Sequence, residues 1–386
     1  MSFDTTASNS GAARGACTLL QQKIGRPLYN FACRHHIFEL VAEAAFSTCL
    51  GPSSGPDIAI FKRFQSQWNS IDQSKFDPMM DDDLDAAFAD VFFGCKEQVI
   101  SFCIRNLTIV QPRDDYREFL ELTIILFGGH PPRGTRFIQP GAFHRARWMA
   151  RVIYGLKIYM FRKQFHLTAG ELKGFRRFVA FSAMLYVKAW FTASSAVAAP
   201  ASDLAYLKEL ISFPDPQIAQ ATSKKFANHL WYLSEDLAGL ALFDDSVSMD
   251  TKRKMVAALK EESQGDPHTR ARVDLTAKDT IATKTVADFV TSASSRIFQA
   301  FKLNTEFLDK DPAEWVNDQS FSSSQQVLLA IAVVNDFAER GVALIQDYNK
   351  VLTKDEQQRQ YLLQVVEWHR RQFHGARKQD ILQSAG

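Results

Sequence analysis

Two stretches near the start of the chain decide the fold: Phe3-Asp4-Thr5-Thr6-Ala7-Ser8-Asn9-Ser10-Gly11, and then Phe31-Ala32-Cys33-Arg34-His35-His36-Ile37-Phe38-Glu39. In the first stretch, a carboxylate at the end of a short strand is followed by a turn rich in Ser, Thr, Asn and Gly. In the second, a strand ends in Cys-x-x-His and continues into a helix. Together they predict a small α/β nucleus at the beginning of the chain.

The residues around these stretches fit such a nucleus. Met1–Asp4 is predicted to be the stub of a strand, and Leu28–Cys33, short and apolar-aromatic, is predicted to be a buried strand. Gly11–Ile24 and His35–Leu50 carry apolar residues at helical spacing, so each is predicted to be a helix. Gly51-Pro52-Ser53-Ser54-Gly55-Pro56 then marks a boundary.

The rest of the chain has almost continuous helical periodicity. Long helices are predicted at Leu84–Asn106, Ala142–Phe165, Gly170–Ala198, about Ser322–Val351 and Lys354–Arg371, with loops at Gly128–Gly141 and Pro200–Pro216 and a mobile polar loop at Gln264–Thr280. The predicted fold class is therefore mostly α. An incomplete α/β nucleus (residues 1–50) is interrupted by an all-helical insertion (51–321) and completed by closing helices with a basic tail (322–386).

Composition limits the classes of protein that the chain can belong to. It has 386 residues, 46% of them hydrophobic and 23% charged, which is enough to bury a sizeable core. The net charge of +2 excludes a uniformly basic nucleic-acid binder, so any basic patch must be local. Five scattered cysteines indicate a reducing compartment. Because the start lacks a signal-peptide pattern and no apolar run is long enough to span a membrane, we expect an intracellular, soluble protein.

Carboxylates at two places in the chain are candidate ligands for a hard cation such as Mg²⁺. Asp4 stands at a strand end, although on residue type alone a capping role with Thr5 and Thr6 is favoured. Asp336 and Glu339 lie three residues apart in an otherwise apolar helical pattern, where acidic groups are costly unless paired, exposed or bound to metal. The alternative for this pair is an ion pair with an arginine at the solvent edge.

Cys33 and His36 form half of a zinc-site pattern, but a structural zinc needs four ligands and no partner appears at the required spacing. The favoured alternative is a buried cysteine in strand packing, with His36 capping or hydrogen-bonding at the junction of strand and helix.

Two basic-aromatic segments are candidates for contact with nucleic acid. His144–Arg151 contains Arg145, Arg147, Trp148 and Arg151, and such a set can stack on an unpaired base and hold phosphate. The simpler alternative places the tryptophan in the core and the arginines in solvent. Glu367–Lys378 is a second such segment, which fits nucleic-acid contact and a solvated terminal helix about equally well.

The order of these elements resembles the catalytic core of hAT-type DDE transposases, which have an RNase H-like fold. Asp4 with Asn9 matches the family's second catalytic aspartate and its turn. Cys33 and His36 match its Cys-x-x-His, Arg147-Trp148 its Arg-Trp pair, and Glu339-Arg340 its catalytic glutamate. The resemblance extends over essentially the whole chain.

The resemblance implies DNA strand cleavage and transfer, in which carboxylates hold a pair of Mg²⁺ or Mn²⁺ ions. Asp4 and Glu339 would be the catalytic metal ligands, while Cys33, His36 and Asn9 would support the site. Trp148 would stack on a base near the cut, and Arg147 would position the backbone, with Arg145 and Arg151 beside it. DNA and a second copy of the chain are the implied partners, no organic cofactor is implied, and the compartment would be the nucleus.

The sequence also departs from the family pattern. The family's first catalytic aspartate and its DNA-binding domain precede the second aspartate, whereas only three residues precede Asp4 here. We therefore expect a truncated or degenerate relative, or an incomplete gene model, with weak or no transposition activity. Two alternatives stay open: a domesticated helical scaffold that binds DNA or protein without catalysis, and a helical protein with no nucleic-acid role.

Overall fold

The structure is a computed structural model that describes residues 2–3, 5, 15–25, 28–29, 31–52, 58–141, 147–261, 278–334, 364 and 367. For residues 2, 3, 147, 148, 278 and 279 it describes the backbone alone. The described residues are mostly helical, which confirms the predicted mostly α class. None of the described helices is long and apolar enough to cross a membrane.

The chain contains two very short strands, one before the first helix and one between the first and second helices. Strand β1 is Ser2–Phe3 and β2 is Phe31–Ala32, and they pair in parallel. The α-helices are α1 (Ala16–Ile24), α2 (Arg34–Leu50), α3 (Ala59–Gln67), α4 (Ala86–Gly94), α5 (Lys96–Leu107), α6 (Asp114–Leu126), α7 (Arg147–Met160), α8 (Ala169–Phe181), α9 (Val187–Thr192), α10 (Ala199–Ile211), α11 (Pro216–Ala227), α12 (Met249–Lys260), α13 (Lys278–Ala282), α14 (Arg296–Ala300) and α15 (Gln319–Leu329).

Helix α2 is the central element of the larger core. Its buried residues cover a broad face, and the residues on the opposite side are half-buried, with none exposed. Its end is set by Gly51, whose φ of +86° is a conformation that other residues rarely adopt. Against it pack α11 and α8, and α8 approaches closely because Gly174 has no side chain facing the carbonyl of Cys49.

Helices α8 and α9 form one continuous rod with a π-helical turn, Ser182–Tyr186, between them. All five residues of this turn are buried. A π-turn holds one residue more than an α-helical turn, and such turns are frequent at functional sites. The turn sets the face of α9 that carries Trp190, whose ring stacks on His35 of α2 with centroids 4.0 Å apart.

Apolar side chains form two cores. The first lies around α2 and α6–α9 and is rich in Phe, with rings such as Phe46 and Phe178 meeting edge to face. The second lies around the short 3-10 helix Ala238–Phe243, α12 and α15, and contains Phe243, Trp315 and Phe321. Leu230 and Trp231 pack against both cores, so the two are continuous.

The structure corrects three predicted elements. The helix predicted at Leu84–Asn106 is divided at Cys95 into α4 and α5, because the backbone there turns to a ψ of −3°. The loop predicted at Pro200–Pro216 is mostly α10, since Pro200 lies in the first turn of that helix, where a missing N–H costs nothing. The helix predicted at about Ser322–Val351 ends instead at Leu329, and Ala332 forms an antiparallel bridge with Ser195.

Several predicted segments lie outside the described residues. These are most of Gln264–Thr280 and nearly all of the chain after Val334, including all but two residues of Lys354–Arg371 and all but Glu367 of the tail Glu367–Lys378. The chain divides into two compact units, the first of residues 1–110 and 115–335, and the second of residues 111–114 and 336–386. Residues 1–50 therefore belong to the same compact unit as the helices that follow them.

Candidate functional site

The two strands bring two distant parts of the sequence to one edge. Ser2 pairs with Phe31 and Phe3 with Ala32 in parallel register, so both strands end on the same side. Asp4 comes next in sequence after β1, and Cys33 comes next after β2. Asp4 and Asn9 lie outside the described residues, so their predicted roles stay predictions.

A third part of the chain reaches the same edge. The backbone N–H of Arg34 donates a hydrogen bond to the carbonyl oxygen of Val333, 2.9 Å away. Val333 is fully buried, and Ala332 is held by its bridge to Ser195. Glu339 follows Val333 by six residues and lies outside the described residues. Strand β1 and Val333 therefore both lie beside β2 and the residue that follows it.

Arg34 is the centre of the described part of this edge. Its side chain is 1% exposed and forms an ion pair with Asp203 of α10, with Nη2 donating to Oδ1 at 2.6 Å and Nε to the same oxygen at 3.2 Å. Nη1 donates to the carbonyl oxygens of Thr192 and Ala193 at 3.2 and 3.1 Å. A charged group can be buried this deeply only because each side of the guanidinium has an acceptor.

Aromatic rings complete the surroundings of Arg34. Its guanidinium lies over Phe38 and Tyr232, 5.3 and 5.9 Å from the ring centroids. The hydroxyl of Tyr232 donates to the carbonyl oxygen of Ala32 at 2.6 Å, so the same ring also fixes β2. Burial raises the pKa of Asp203, and the Arg34 guanidinium opposes that rise. The network therefore joins β2, α2, α9 and α10 at one point.

Cys33 and His36 lie at the junction of β2 and α2. Cys33 is 5% exposed and is the residue from which α2 begins. The His36 side chain is 18% exposed, and its Nδ1 lies 3.6 Å from Oε2 of Glu39, one turn along the helix. His229 is close enough to His36 that the imidazole contributes, after burial and Lys225, to lowering the pKa of His229.

The described side chains at this edge are a buried thiol, imidazoles and a buried, fully bonded guanidinium. Among the residues that the structure describes, no group of three or more His, Cys, Asp or Glu side chains is arranged to hold a metal ion. Thiol and imidazole groups are also not the oxygen ligands that Mg²⁺ prefers. The predicted metal ligands Asp4 and Glu339 lie outside the described residues, so that assignment stays a prediction.

The predicted DNA-contacting residues lie at the start of α7. Arg147 is the first residue of this helix and Trp148 the second, and only their backbone is described. Arg145 lies outside the described residues. Arg151 is 6% exposed, with its guanidinium 5.4 Å from the ring centroid of Phe46, so this structure does not present it to a phosphate. Burial lowers the pKa of Arg151 to about 10, and the charge of Glu43 opposes that change.

Sequence reasoning missed Arg34 and Asp203, although each has a weak sequence signal. Arg34 stands between Cys33 and an apolar helical stripe, and Asp203 is the only charged residue in the first two turns of α10. A lone charge in an apolar pattern predicts a buried pair, but does not identify the partner.

Comparisons with known proteins add no assignment: no family model, no curated protein and no solved structure matches the chain.

Proposed function

We propose that the chain is a nuclear, DNA-binding relative of hAT-type transposases. One observation supports this proposal above the others. The register of β1 on β2 and the hydrogen bond from Arg34 to Val333 bring three sequence-distant segments to one edge. In sequence, Asp4 and Cys33 directly follow the two strands and Glu339 follows Val333 by six residues, and the family resemblance singles out these three positions.

The chemistry proposed for this edge is phosphoryl transfer. Asp4 and Glu339 would hold Mg²⁺ or Mn²⁺, which activates the attacking oxygen and stabilises the leaving one. The described residues would have a supporting role. Arg34 and Tyr232 fix the end of β2, and the backbone N–H of Arg34 holds the carbonyl group of Val333.

DNA binding is the first part to test. Fluorescence anisotropy with labelled duplex, hairpin and single-stranded DNA should give an affinity that falls steeply with salt. Arg147→Ala combined with Trp148→Ala should weaken binding about tenfold or more, since base stacking on an aromatic ring carries a large share of such contacts. Arg296→Ala, at a half-exposed arginine elsewhere in the chain, is the matched control. No affinity in the intact chain would refute the proposal.

Catalysis is tested separately. A strand-cleavage and strand-transfer assay in Mn²⁺ should show weak activity that Asp4→Asn and Glu339→Gln each abolish without loss of DNA affinity. Glu314→Gln, at an exposed carboxylate, is the control and should keep the activity. Equal activity of the wild type and Glu339→Gln would exclude the proposed metal site.

A second candidate is a helical DNA-binding scaffold without catalysis. The observation that favours it is the composition of the described residues, in which helices greatly exceed the two strands of two residues each. This candidate predicts that EDTA leaves the DNA affinity unchanged and that no cleavage occurs in Mn²⁺. Cleavage that depends on Glu339 would exclude it.

A further inference from the structure

Three polar atoms are buried where α2, α10 and the π-helical turn Ser182–Tyr186 meet. The hydroxyl groups of Tyr186 and Tyr206 and the atom Oδ2 of Asp203 have no hydrogen-bond partner among the residues that the structure describes. The three residues are at most 5% exposed. A buried polar group without a partner loses its hydration and gains nothing in return, so proteins rarely leave one in that state. Three such atoms in one part of the core therefore indicate a bound ligand.

The packing of α10 on α2 directs these side chains to one place. Asp203 and Tyr206 are three residues apart on α10, so they lie on the same side of the helix. That side faces α2, because Asp203 pairs with Arg34 at 2.6 Å and the ring of Tyr206 meets that of Phe38 edge to face, with centroids 5.3 Å apart. Tyr186 reaches the same place from the π-helical turn, near enough to Tyr206 that the two tyrosines interact electrostatically.

Both hydroxyl groups are protonated and can therefore donate a hydrogen bond. Burial raises the pKa of Tyr186 well above its usual value, and Glu39 of α2 and Tyr206 add to the rise. Burial also raises the pKa of Tyr206, with smaller contributions from Glu209 and Asp203. Two hydroxyl donors and the buried carboxylates of Glu39 and Asp203 thus lie near one another, yet neither hydroxyl bonds directly to a carboxylate within the described residues.

A water molecule has the hydrogen-bonding groups that this arrangement requires. It can accept from both hydroxyls and donate to two carboxylate oxygens, and internal water in proteins typically has two to four such partners. An anion does not fit, because its charge would lie beside the buried carboxylates. A metal ion does not fit either, because no group of three or more suitable side chains is arranged to hold one in the part of the chain that the structure describes.

We propose that this cluster is a binding site for internal water, which bridges the hydroxyls of Tyr186 and Tyr206 to Oδ2 of Asp203 and to the carboxylate of Glu39. The bridge joins the π-helical turn, α10 and α2 at one point inside the first core. It satisfies the second oxygen of Asp203 without replacing the charge of Arg34. The inference does not depend on the proposed DNA-binding function.

The sign of the effect of removing each hydroxyl tests the site. If water bridges the hydroxyls, Tyr186→Phe and Tyr206→Phe should each lower the midpoint of urea unfolding by about 0.2–0.5 M, because each variant loses a hydrogen bond. If the hydroxyls are buried without water, both variants remove an unpaired polar group, and the midpoint should stay the same or rise. That second result would overturn the inference. Tyr232→Phe, which removes a hydroxyl bonded directly to Ala32, calibrates the loss of one bond.

A double-mutant cycle tests whether the two tyrosines share the bridge. Combining Tyr186→Phe with Tyr206→Phe should lower the midpoint by less than the sum of the single effects, because the first substitution already weakens the binding of the shared water. Tyr159→Phe is the matched control, since its hydroxyl contacts the sulfur of Met79. Its effect should add to that of Tyr186→Phe. Additive effects in both cycles would refute a shared bridge.

Oxygen-17 magnetic relaxation dispersion detects the water directly, because it counts water molecules that stay inside a protein longer than the protein takes to tumble. The wild type should hold about one long-lived water more than the variant with Tyr186→Phe and Tyr206→Phe. Tyr159→Phe should give the same count as the wild type. An equal count in the wild type and the double variant, or a crystal structure in which both hydroxyls bond directly to protein groups, would overturn the inference.

Discussion

Arg34 and Asp203 are 169 residues apart in the chain and form an ion pair of 2.6 Å in which each side chain is 1% exposed. The pair lies where β2 passes into α2 and joins that junction to α10. Because it is fully enclosed, neither charge can be compensated by water if its partner is removed.

Removing the Asp203 carboxylate should therefore strongly destabilise the folded protein. We expect Asp203→Ala to lower the free energy of unfolding by about 3–5 kcal/mol, measured by urea denaturation, since Arg34 would be left buried without its charged partner. Asp309→Ala, which breaks the exposed pair with Lys260, should change it little. Arg34→Met with Asp203→Leu should recover most of the loss. A small effect of Asp203→Ala would show that Arg34 can reach solvent.

The close approach of α2 and α8 gives a second prediction. A Cβ atom at Gly174 would collide with the carbonyl oxygen of Cys49 and would lie 2.6 Å from a methyl carbon of Leu50. We expect Gly174→Ala to lower the free energy of unfolding by about 1–3 kcal/mol through overpacking. Gly170→Ala, at a position on α8 with open space, should leave stability unchanged or raise it slightly. Equal stability of the two variants would mean that the helices separate at little cost.

The cap of α15 predicts how stability depends on pH. Asp318 accepts from the N–H of Phe321 and pairs with Lys310, and with the Ser320 hydroxyl these contacts hold its pKa well below its usual range. A carboxylate whose pKa is depressed in the folded state stabilises the folded protein at pH values above its unfolded pKa of about 3.9. This stabilisation is lost as the pH falls below that value. The melting temperature of the wild type should therefore drop more between pH 6 and pH 3 than that of Asp318→Asn.

The control for that measurement is Glu314→Gln, which removes an exposed carboxylate from the same part of the chain. It should reproduce the acid sensitivity of the wild type. A wild-type profile as flat as that of Asp318→Asn would contradict the role assigned to the cap.

Buried thiols give a fourth prediction. Burial raises the pKa of both Cys49 and Cys103 to about 12, so almost no reactive thiolate is present at pH 8. A colorimetric thiol reagent should therefore label these two cysteines slowly in the folded protein and fast in urea, where all five thiols react. Rapid labelling of Cys103 without denaturant would show that the first core opens readily.

Local sequence patterns predicted the helices well where one face is apolar and a residue that ends helices, such as glycine, follows. His35–Leu50 is the best example, because Gly51 ends α2 one residue after the predicted stretch. The predicted single helix at Leu84–Asn106 was wrong because α4 and α5 both bury apolar residues, so the periodicity continues across the break at Cys95. The end of α15 was missed for the same reason, since Ile331 and Val334 continue its apolar pattern after Leu329.

The candidate site was only partly predictable. Cys33 and His36 were singled out by their spacing; Cys33 is buried where α2 begins and His36 lies beside Glu39, while their roles at the site stay predictions. The partnership of Arg34 with Asp203 and the contact with Val333 depend on how α2, α10 and the chain after α15 meet. No local pattern encodes such a meeting, because it is set by the packing of segments that are far apart in sequence.

The π-helical turn between α8 and α9 has a consequence for how this fold can change over time. A helix tolerates one added residue there by widening a single turn, which rotates everything after it by about 100° relative to an unbroken α-helix. The stack of Trp190 on His35 depends on that rotation. Deleting one residue from Ser182–Tyr186 would leave a regular α-helix in which Trp190 faces a neighbour other than His35. The number of residues between Phe181 and Trp190 is therefore a simple marker of whether a relative keeps this contact.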